Sequence, residues 1–270
     1  MITLTLKEQP NVPLEAENIS PDVMASLSNE AIRGLHLFLG KRQCRLDDFF
    51  EVDGAACDEI EIRGDAAKVK WIGQGMTRGR IRIVGNAGMH LGSHMHGGTI
   101  EVTGNASDWA GAEMTDGLIR IHGNAGGQIG AAYRGSMAGM KGGSILVGGN
   151  AGLEVGMRMK RGIIVIGGLV RDFAGLQMKG GTIFLLGGAE IRTGAWMTRG
   201  TIVAIKPIKL LPTFSYSCDY NPTFLQLYAR HLGKLGIAFP FEARGGSFRR
   251  YLGDSSMPGK GEILVWQAAS

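Results

Sequence analysis

The sequence of 270 residues contains no run of 18 apolar residues, few cysteines and no cluster of basic residues. Because a helix that crosses a membrane needs such a run, no membrane-spanning helix is expected. Three cysteines without a CxxC pair argue against a disulfide framework and favour free thiols in a reducing cytoplasm. The start of the chain also lacks the basic residues and apolar stretch of a signal peptide. A net charge of +5 without a Lys/Arg run gives no signature of a nucleic-acid-binding module.

Aromatic residues are scarce as well, at 7%, whereas glycine is abundant with 44 residues, about twice its usual share. These glycines follow no collagen period and form no low-complexity tract, so they indicate many tight turns. Methionine is frequent, with 13 residues. The composition therefore predicts a core of small, straight or branched side chains rather than of aromatic rings.

The glycines belong to a repeat that occurs in seven copies over residues 59–200, five of them 19 residues long. The second position of each copy, and of an eighth strand that follows, is isoleucine: Ile60, Ile81, Ile100, Ile119, Ile145, Ile164, Ile183 and Ile202. The residue two positions later is also apolar, so both lie on one face of a short strand. The residue between them varies, from Arg82 and Glu101 to Arg120 and Phe184, as expected of an outward position.

Two further columns follow the isoleucines. One is alanine, with Val170 as the exception: Ala66, Ala87, Ala106, Ala125, Ala151 and Ala189. The other is methionine: Met76, Met95, Met114, Met140, Met159, Met178 and Met197. Three sets of glycines separate the columns and predict three corners, because glycine accepts positive φ without steric cost. The sequence therefore predicts an all-β fold, a right-handed parallel β-helix of seven coils of about 19 residues, with these columns inside.

Other glycine-rich folds fit less well, and the flanks divide the chain into three parts. A leucine-rich repeat requires a helical return, and a Rossmann or P-loop fold requires a glycine loop between a strand and a helix. The predicted parts are an N-terminal capping segment over 1–57, the repeat domain over 58–206 and a C-terminal extension over 207–270. Since the ends of a β-helix expose unpaired backbone, the two short flanks are expected to cap them.

The flanks contain the predicted helices. Ser20 is a good N-cap for a short helix over residues 21–32. In the extension, residues 221–222 (Asn-Pro) predict the start of a helix that Gly236 ends. The last strand is predicted over residues 262–266.

The repeat and its flanks resemble a known protein family. The repeated MxxG with its GNAG corners resembles the C subunit of formylmethanofuran dehydrogenase, the C subunit of the bacterial formyltransferase/hydrolase complex, and the glycine-rich C-terminal domain of the glutamate synthase large subunit. The flanks favour the C subunits: VPLEAENISPD (12–22) lies near the start, LDDFFEVDG (46–54) precedes the first copy, and KLLPTF (209–214) follows the last. The resemblance covers nearly the whole chain.

What the resemblance implies is a β-helical scaffold subunit without an active site, in a cytoplasmic complex of one-carbon metabolism. Such a complex moves a formyl group from formyl-tetrahydromethanopterin through formyl-methanofuran or formyl-methylofuran to formate. The resemblance implies three kinds of partner: a zinc amidohydrolase-like subunit, a formyltransferase and a further subunit. This chain itself is expected to bind no cofactor. The archaeal relatives add a tungsten or molybdenum oxidoreductase, whereas richness in alanine, arginine and glycine favours the bacterial form.

A column of basic residues follows the methionines and is the candidate binding site. Its members are Arg78, His96, Lys141, Lys160, Arg161, Lys179 and Arg199, with Asp116 as the single reversal. Stacking would make them neighbours along one edge, where like charges repel. Two interpretations of this column stay open: a solvated corner of the stack and a binding track for an anion. The resemblance suggests the anion, a cofactor tail that carries several glutamates, and the residues predicted to bind it are Arg78, Lys141, Lys160, Lys179 and Arg199.

Two other features raise further hypotheses. His90, His94 and His96 form an HxxxHxH pattern, which suggests a zinc-dependent β-helix enzyme, but no cysteine or acid completes the ligand set. Exposed polar residues beside a glycine corner are the simpler interpretation, and no nucleophile with a spaced base is visible. A glutamate-synthase-like domain on a separate chain is a third hypothesis for the function.

The fourth copy is the one with a surplus of seven residues, roughly Ala132 to Ala138. Because the neighbouring copies keep their columns, this surplus is expected to leave the stack as a loop. It carries Tyr133 and Arg134, residue types that are enriched at protein interfaces. We expect the loop to contact a partner subunit.

Overall fold

Parallel strands join consecutive copies of the repeat in a computed structural model of the chain, which describes residues 1–239, 241 and 245–268. The isoleucines of neighbouring copies lie directly opposite each other, as Ile60 does to Ile81. The same register holds through all of the later copies. The predicted isoleucine column is therefore confirmed as a ladder of equivalent residues.

Strands dominate the described part of the chain. They are β1 (Ile2–Leu6), β2 (Leu14–Glu15), β3 (His36–Leu39), β4 (Arg42–Arg45), β5 (Phe50–Gly54), β6 (Glu59–Arg63), β7 (Val69–Lys70), β8 (Arg80–Val84), β9 (His96–Val102), β10 (Asp116–Ile121), β11 (Lys141–Val147), β12 (Arg161–Ile166), β13 (Lys179–Leu185), β14 (Arg199–Ala204), β15 (Ser215–Tyr220), β16 (Ser247–Gly253) and β17 (Gly261–Gln267). The helices are α1 (Pro21–Met24), α2 (Asn29–Arg33), α3 (Leu46–Phe49) and α4 (Leu225–Gly233). Across the described residues, no helix has the length and apolar character needed to cross a bilayer.

One sheet of 13 strands runs through the molecule in the order β15-β16-β17-β14-β13-β12-β11-β10-β9-β8-β6-β1-β5. The first and last parallel strands come from the flanks, because Ile2 pairs with Ile60 and Ile263 pairs with Ile202. Beyond them, β5 pairs antiparallel with β1, and the β15–β16 pair lies antiparallel to β17. Each end of the isoleucine ladder is therefore covered by strands of the same chain.

The other two columns face the same interior. Consecutive alanines form parallel bridges from Ala66 to Ala189, with Val170 in its predicted place. The methionines of the column have no exposed surface: Met76, Met95, Met114, Met140, Met159, Met178 and Met197. A third contact joins the copies at the middle glycines, where Gly111 N donates to Leu91 O at 2.8 Å. Each copy thus contacts the next at three places around an aliphatic and thioether core.

Two of the three glycine sets adopt the predicted conformation. The glycines that close each copy and those in its middle have positive φ, as at Gly98 (79°) and Gly111 (64°). In the set that follows the first strand, only Gly64 and Gly85 have positive φ, so the predicted reason is wrong for the later copies. At Gly104, for example, a β-carbon would lie 2.6 Å from the Gly85 carbonyl oxygen. These corners require glycine because neighbouring copies approach each other closely.

The outward positions of the isoleucine strands are not uniformly exposed. The outward residues of the later strands are buried, and Phe184 has no exposed surface. They form a second core with residues of α4 and the segment after it, and the Phe184 and Phe239 rings lie 4.9 Å apart. Where α4 covers the sheet, the outward positions thus form a second packing surface. The mixed composition of this column over all copies did not indicate that surface.

The N-terminal flank adds a small sheet in the order β4-β3-β2-β7, in which β2 pairs in parallel with β7 of the first copy. The single helix predicted over 21–32 is wrong, because two short helices occupy this stretch. Ser20 caps α1 as predicted, by accepting a hydrogen bond from Asp22 N. Ser28 interrupts the helix because its hydroxyl accepts from Ala31 N at 3.2 Å and caps α2 instead.

The C-terminal flank follows the prediction except at the two ends of its helix. Residues 222–224 form a turn, in which Leu225 N donates to Pro222 O, so α4 begins three residues later than predicted. Gly236 has positive φ, 77°, but it ends a turn after the helix, because α4 itself ends at Gly233 rather than at Gly236 as predicted. The last strand is confirmed as β17. The three cysteines are free thiols: Cys44, Cys57 and Cys218.

Candidate functional site

The positions after the buried methionines form an outer edge of the stack, and we call Lys141, Lys160, Arg161, Lys179 and Arg199 the basic edge. Strand pairing sets Lys141 opposite Arg161 and Lys179 opposite Arg199. Lys160, Arg161, Lys179 and Arg199 line one cavity of about 540 Å³. The structure therefore brings together the later members of the column, including four of the five residues predicted to bind an anion.

The charges of the basic edge are not paired with carboxylates in the part of the chain that the structure describes. Within residues 1–239, 241 and 245–268, none of its members forms an ion pair. The Lys179 ammonium donates to the carbonyl oxygen of Met137 at 2.9 Å, an acceptor without net charge. Lysine and arginine bind carboxylates and phosphates through charge-assisted hydrogen bonds, so this edge suits a multiply charged anion.

Arg78 lies apart from the basic edge, in the first copy. Its Nε atom is 3.9 Å from the Asp22 carboxylate, and the next two copies carry His96 and Asp116 at this edge. Asp22 accepts hydrogen bonds from Thr77 N at 2.8 Å and Thr77 Oγ1 at 2.5 Å. Partial burial raises the pKa of Asp22, but these hydrogen bonds outweigh burial and hold it below its usual 3.8. Arg78 thus faces a carboxylate that links α1 to the first copy.

The surplus of the fourth copy leaves the stack as a loop over residues 132–138, as predicted, although its first residue, Ala132, stays buried and donates to Met157 O of the next copy at 3.1 Å. Its ends close through a hydrogen bond from Met140 N to Gly130 O at 2.8 Å. The next copy has the equivalent bond, from Met159 N to Gly156 O at 3.0 Å, without any insertion. The loop is therefore not needed for the stacking of the copies.

The first half of this loop lies on a row of rings from earlier copies. Trp71 and His90 stack with ring centroids 4.0 Å apart, and Tyr133 stacks on Trp109 at 4.9 Å. A hydrogen bond of 2.8 Å joins the Tyr133 hydroxyl to His90 Nδ1, and Tyr133 N donates to Glu113 Oε1 at 2.9 Å. Burial lowers the pKa of His90 to about 4 and raises the pKa of Tyr133 to about 12. Both groups are therefore uncharged at neutral pH.

The second half of the loop is held by later copies. Arg158 Nη1 donates to Ser136 O at 2.5 Å, and Lys179 of the basic edge donates to Met137 O. The loop is thus attached on both sides of its own copy. Lys179 makes it continuous with the basic edge.

The histidines of the HxxxHxH pattern do not converge on one point. His90 contacts the loop, His94 Nδ1 lies 3.9 Å from Glu113 Oε2, and His96 Nδ1 bonds with Thr115 Oγ1 at 2.7 Å. Where the structure describes the chain, no group of three or more His, Cys, Asp or Glu side chains is placed to hold a metal ion. The zinc site raised by the sequence pattern is not assembled from these residues.

Sequence reasoning missed the row of rings and the role of Arg158. The row had a visible signal, because Trp71, His90 and Trp109 occupy one position of three consecutive copies, 19 residues apart. All three adopt left-handed φ, at 66°, 64° and 67°, so their side chains lie at equivalent places on the surface. Arg158 had no such signal, since its contact depends on where the loop folds.

Comparison with known proteins identifies relatives of the repeat and of the whole chain. Residues 60–212 match the GXGXG motif family. The C subunit of the tungsten-containing formylmethanofuran dehydrogenase 2 of Methanothermobacter thermautotrophicus is 47% identical over 97 residues, which cover 34% of this chain and 36% of that protein. The C subunit of the molybdenum-containing formylmethanofuran dehydrogenase 1 of Methanosarcina barkeri is 45% identical over 95 residues, 33% of this chain and 32% of that protein. The matches span about a third of the length of these curated relatives.

A solved structure is similar along the whole chain. It is a chain of the formyltransferase/hydrolase complex (FhcABCD) of Methylorubrum extorquens, crystallised with methylofuran. The two chains superpose with a TM-score of 0.91 and are 35% identical, and the match covers 99% of this chain and 100% of the other. The similarity therefore includes both flanks as well as the repeat.

Proposed function

Because this chain belongs to the GXGXG motif family, we propose that it is the non-catalytic scaffold subunit of a formyltransferase/hydrolase complex. The observation that carries the proposal is the match to a chain of the FhcABCD complex along the entire length. The matched flanks favour a C-type subunit over a separate glutamate-synthase-like repeat domain, which would share only the repeat.

The proposed complex acts in the cytoplasm, in one-carbon metabolism. It moves a formyl group from formyl-tetrahydromethanopterin through formyl-methanofuran or formyl-methylofuran to formate. The reactions take place on a zinc amidohydrolase-like subunit and a formyltransferase subunit, with a further subunit beside them. This chain holds those subunits in register and binds no metal of its own.

The scaffold itself is a right-handed parallel β-helix of seven coils over residues 58–206, capped by residues 1–57 and 207–270. Contact between equivalent residues at three places in each copy supports this architecture, because strands, bridges and corners must all stack for the three ladders to form. Such a rod is rigid and offers flat outer faces to several partners.

The basic edge guides a polyglutamate tail of the furan cofactor between the catalytic subunits. Four residues carry this role: Lys141, Lys160, Lys179 and Arg199. The cavity that Lys160, Lys179 and Arg199 share, the pairing of Lys141 with Arg161 at its border, and the lack of an ion pair between any of the four and a described residue support it. Arg78 binds the tail less well because it faces Asp22. The attraction acts over about 8 Å at physiological salt, so it steers the tail rather than fixing it.

Purification by an affinity tag on this chain, from its native host, tests the proposal. We expect the amidohydrolase-like and formyltransferase subunits in constant ratio, formyl hydrolysis by the complex, and no hydrolysis or stoichiometric zinc in the chain isolated alone. Turnover by the isolated chain would contradict the proposal, as would purification without those subunits.

A second candidate is the C subunit of a tungsten or molybdenum formylmethanofuran dehydrogenase. The 47% identity to the C subunit of the tungsten-containing enzyme over 97 residues favours it. Elemental analysis of the purified complex separates the two candidates. Tungsten or molybdenum with iron and sulfide would support the dehydrogenase, and zinc alone would support the formyltransferase/hydrolase complex.

A further inference from the structure

The loop over residues 132–138 is the part of the repeat domain that the stacking of copies does not require. Its ends meet through the same Met-to-Gly hydrogen bond that closes an uninterrupted copy. Because the stacking does not constrain the loop, its sequence can serve a role at the surface. The loop carries Tyr, Arg and Met among small residues.

This loop is held in one place although its tip is exposed. Side chains of two earlier and two later copies bond to it, through Tyr133, Ser136 and Met137. Between these anchors, Arg134 and Gly135 are exposed, and 66% of the Met137 surface is accessible. A surface that is already ordered loses little conformational entropy on binding, which favours recognition.

A cavity of about 310 Å³ opens beside the exposed tip. The rings of Trp109 and Tyr133 and the thioether of Met157 supply its apolar lining, and Arg134 and Arg158 supply its cations. Trp, Tyr, Arg and Met are the residue types that dominate the buried centres of protein interfaces.

The charge of this cavity selects the kind of partner. Its acid, Glu154, already accepts a hydrogen bond from Gln128 Nε2 at 3.0 Å. The Arg134 side chain has no hydrogen bond or ion pair with any described residue, whereas Arg158 is partly occupied by Gln177 and Ser136. Lys179, which holds Met137, adds positive charge on the same side. These three cations outnumber Glu154 and Glu113, whose carboxylate accepts from Tyr133 N, so the net charge around the cavity is positive and favours carboxylates.

We infer that the loop over residues 132–138 and the adjacent cavity are a docking site for a segment of a partner subunit that places an apolar side chain beside one or more carboxylates. The apolar side chain fills the cavity between Tyr133 and Met157, and a carboxylate pairs with Arg134. The inference rests on the proposed function, because it requires partner subunits. It adds the surface and the chemistry of one contact.

Photo-crosslinking in the intact complex tests the position of the contact. Met137 is replaced by p-benzoyl-phenylalanine in the full chain, the complex is purified by a tag on this chain, and the crosslinked peptides are identified by mass spectrometry. We expect one peptide of another subunit, with an apolar residue next to Asp or Glu. An intact complex without a crosslink from position 137, or a crosslinked peptide without a carboxylate, would overturn the inference.

A charge reversal tests the chemistry. Arg134→Glu should weaken assembly about tenfold at low salt, and the difference from wild type should narrow at high salt. Arg42→Glu is the matched control, because Arg42 is exposed and forms no ion pair with a described residue; it should assemble as wild type does. Equal assembly of Arg134→Glu and wild type would overturn the inference and leave the proposed function intact. If the wild-type chain purifies without any other subunit, both this inference and the proposed function are contradicted.

Discussion

The two halves of the outward face of the isoleucine ladder have the same backbone register and opposite chemistry. In the first copies the outward residues are Glu61, Arg82, Glu101 and Arg120, and they bond to each other and to neighbours, with Glu61 buried beneath its arginine partners. From β11 onwards they are Leu146, Val165, Phe184, Val203 and Leu264, all of them buried beneath α4 and the segments that follow it. The stack of copies is therefore set by the inward columns, and the outward column decides what each part of the rod can bind.

The largest effect is expected where α4 covers the ladder. Phe184→Ala should lower the free energy of unfolding by about 3–5 kcal/mol, because it empties a site with no exposed surface. Arg82→Ala, at the same outward position in an uncovered copy, should cost less than about 1 kcal/mol. Urea unfolding of both variants measures the difference. Similar losses would mean that the two halves do not differ as described.

The boundary between the halves is Arg120, whose Nη2 donates to Leu235 O at 2.5 Å, just beyond α4. Arg120→Ala should cost about 1–2 kcal/mol, since it leaves a partly buried carbonyl without its charged donor. It should also speed hydrogen exchange in α4 and leave β8 unchanged. A loss no larger than that of Arg82→Ala would place the boundary elsewhere.

The charged half should respond to pH, and the apolar half should not. The hydrogen bond from His122 to Glu101, at 2.8 Å, holds the pKa of Glu101 below its usual 4.5. Because the folded pKa is lowered, the stabilisation is present above the unfolded value and is lost as pH falls through the folded value. Glu101→Gln should therefore cost up to about 1 kcal/mol at pH 7, and this loss should shrink steadily as the pH falls below the usual 4.5. Phe184→Ala should cost the same across this pH range, and a Glu101→Gln loss that does not shrink as the pH falls would refute the assignment.

The smallest effect on stability is expected at the basic edge. Simultaneous replacement of Lys141, Lys160, Lys179 and Arg199 by Gln should change the free energy of unfolding by less than about 0.5 kcal/mol per residue, because exposed charges contribute little. A slight gain is expected where stacked like charges are removed. A loss comparable to that of Phe184→Ala would show that these residues hold the stack together.

Much of the fold can be predicted because the repeat places equivalent residues in register. The isoleucine, alanine and methionine columns, and even Val170, lie where a seven-fold repeated pattern puts them. Features that occur only once in the chain have no repeated pattern from which they can be predicted. The pairing of Ile2 and Ile263 with the ladder, the second cap at Ser28 and the contact of Tyr133 with His90 each depend on tertiary packing.

The candidate binding site shows the same division between repeated features, which can be predicted, and features that occur once. Lys160 and Lys179 directly follow their methionines and Arg199 comes one residue later, so stacking of the copies brings all three to one edge, where they share a cavity. Arg78 follows its methionine at the same distance as Arg199, but Asp22 from the non-repeated flank faces it. The apolar outward residues did carry a signal, since Leu146, Val165, Phe184 and Val203 are apolar in four consecutive copies; a position that is apolar in successive copies indicates a covered face.

The most direct test of a scaffold that acts through its outer edge is turnover of the intact complex with long-tailed and short-tailed furan cofactor. The complex is prepared with the wild-type chain and with the chain in which Lys141, Lys160, Lys179 and Arg199 are replaced by Gln. We expect a loss of turnover with the long tail that shrinks as salt rises, because screening removes the wild-type advantage, and little loss with the short tail. An equal loss with both cofactors, or no loss with either, would contradict it.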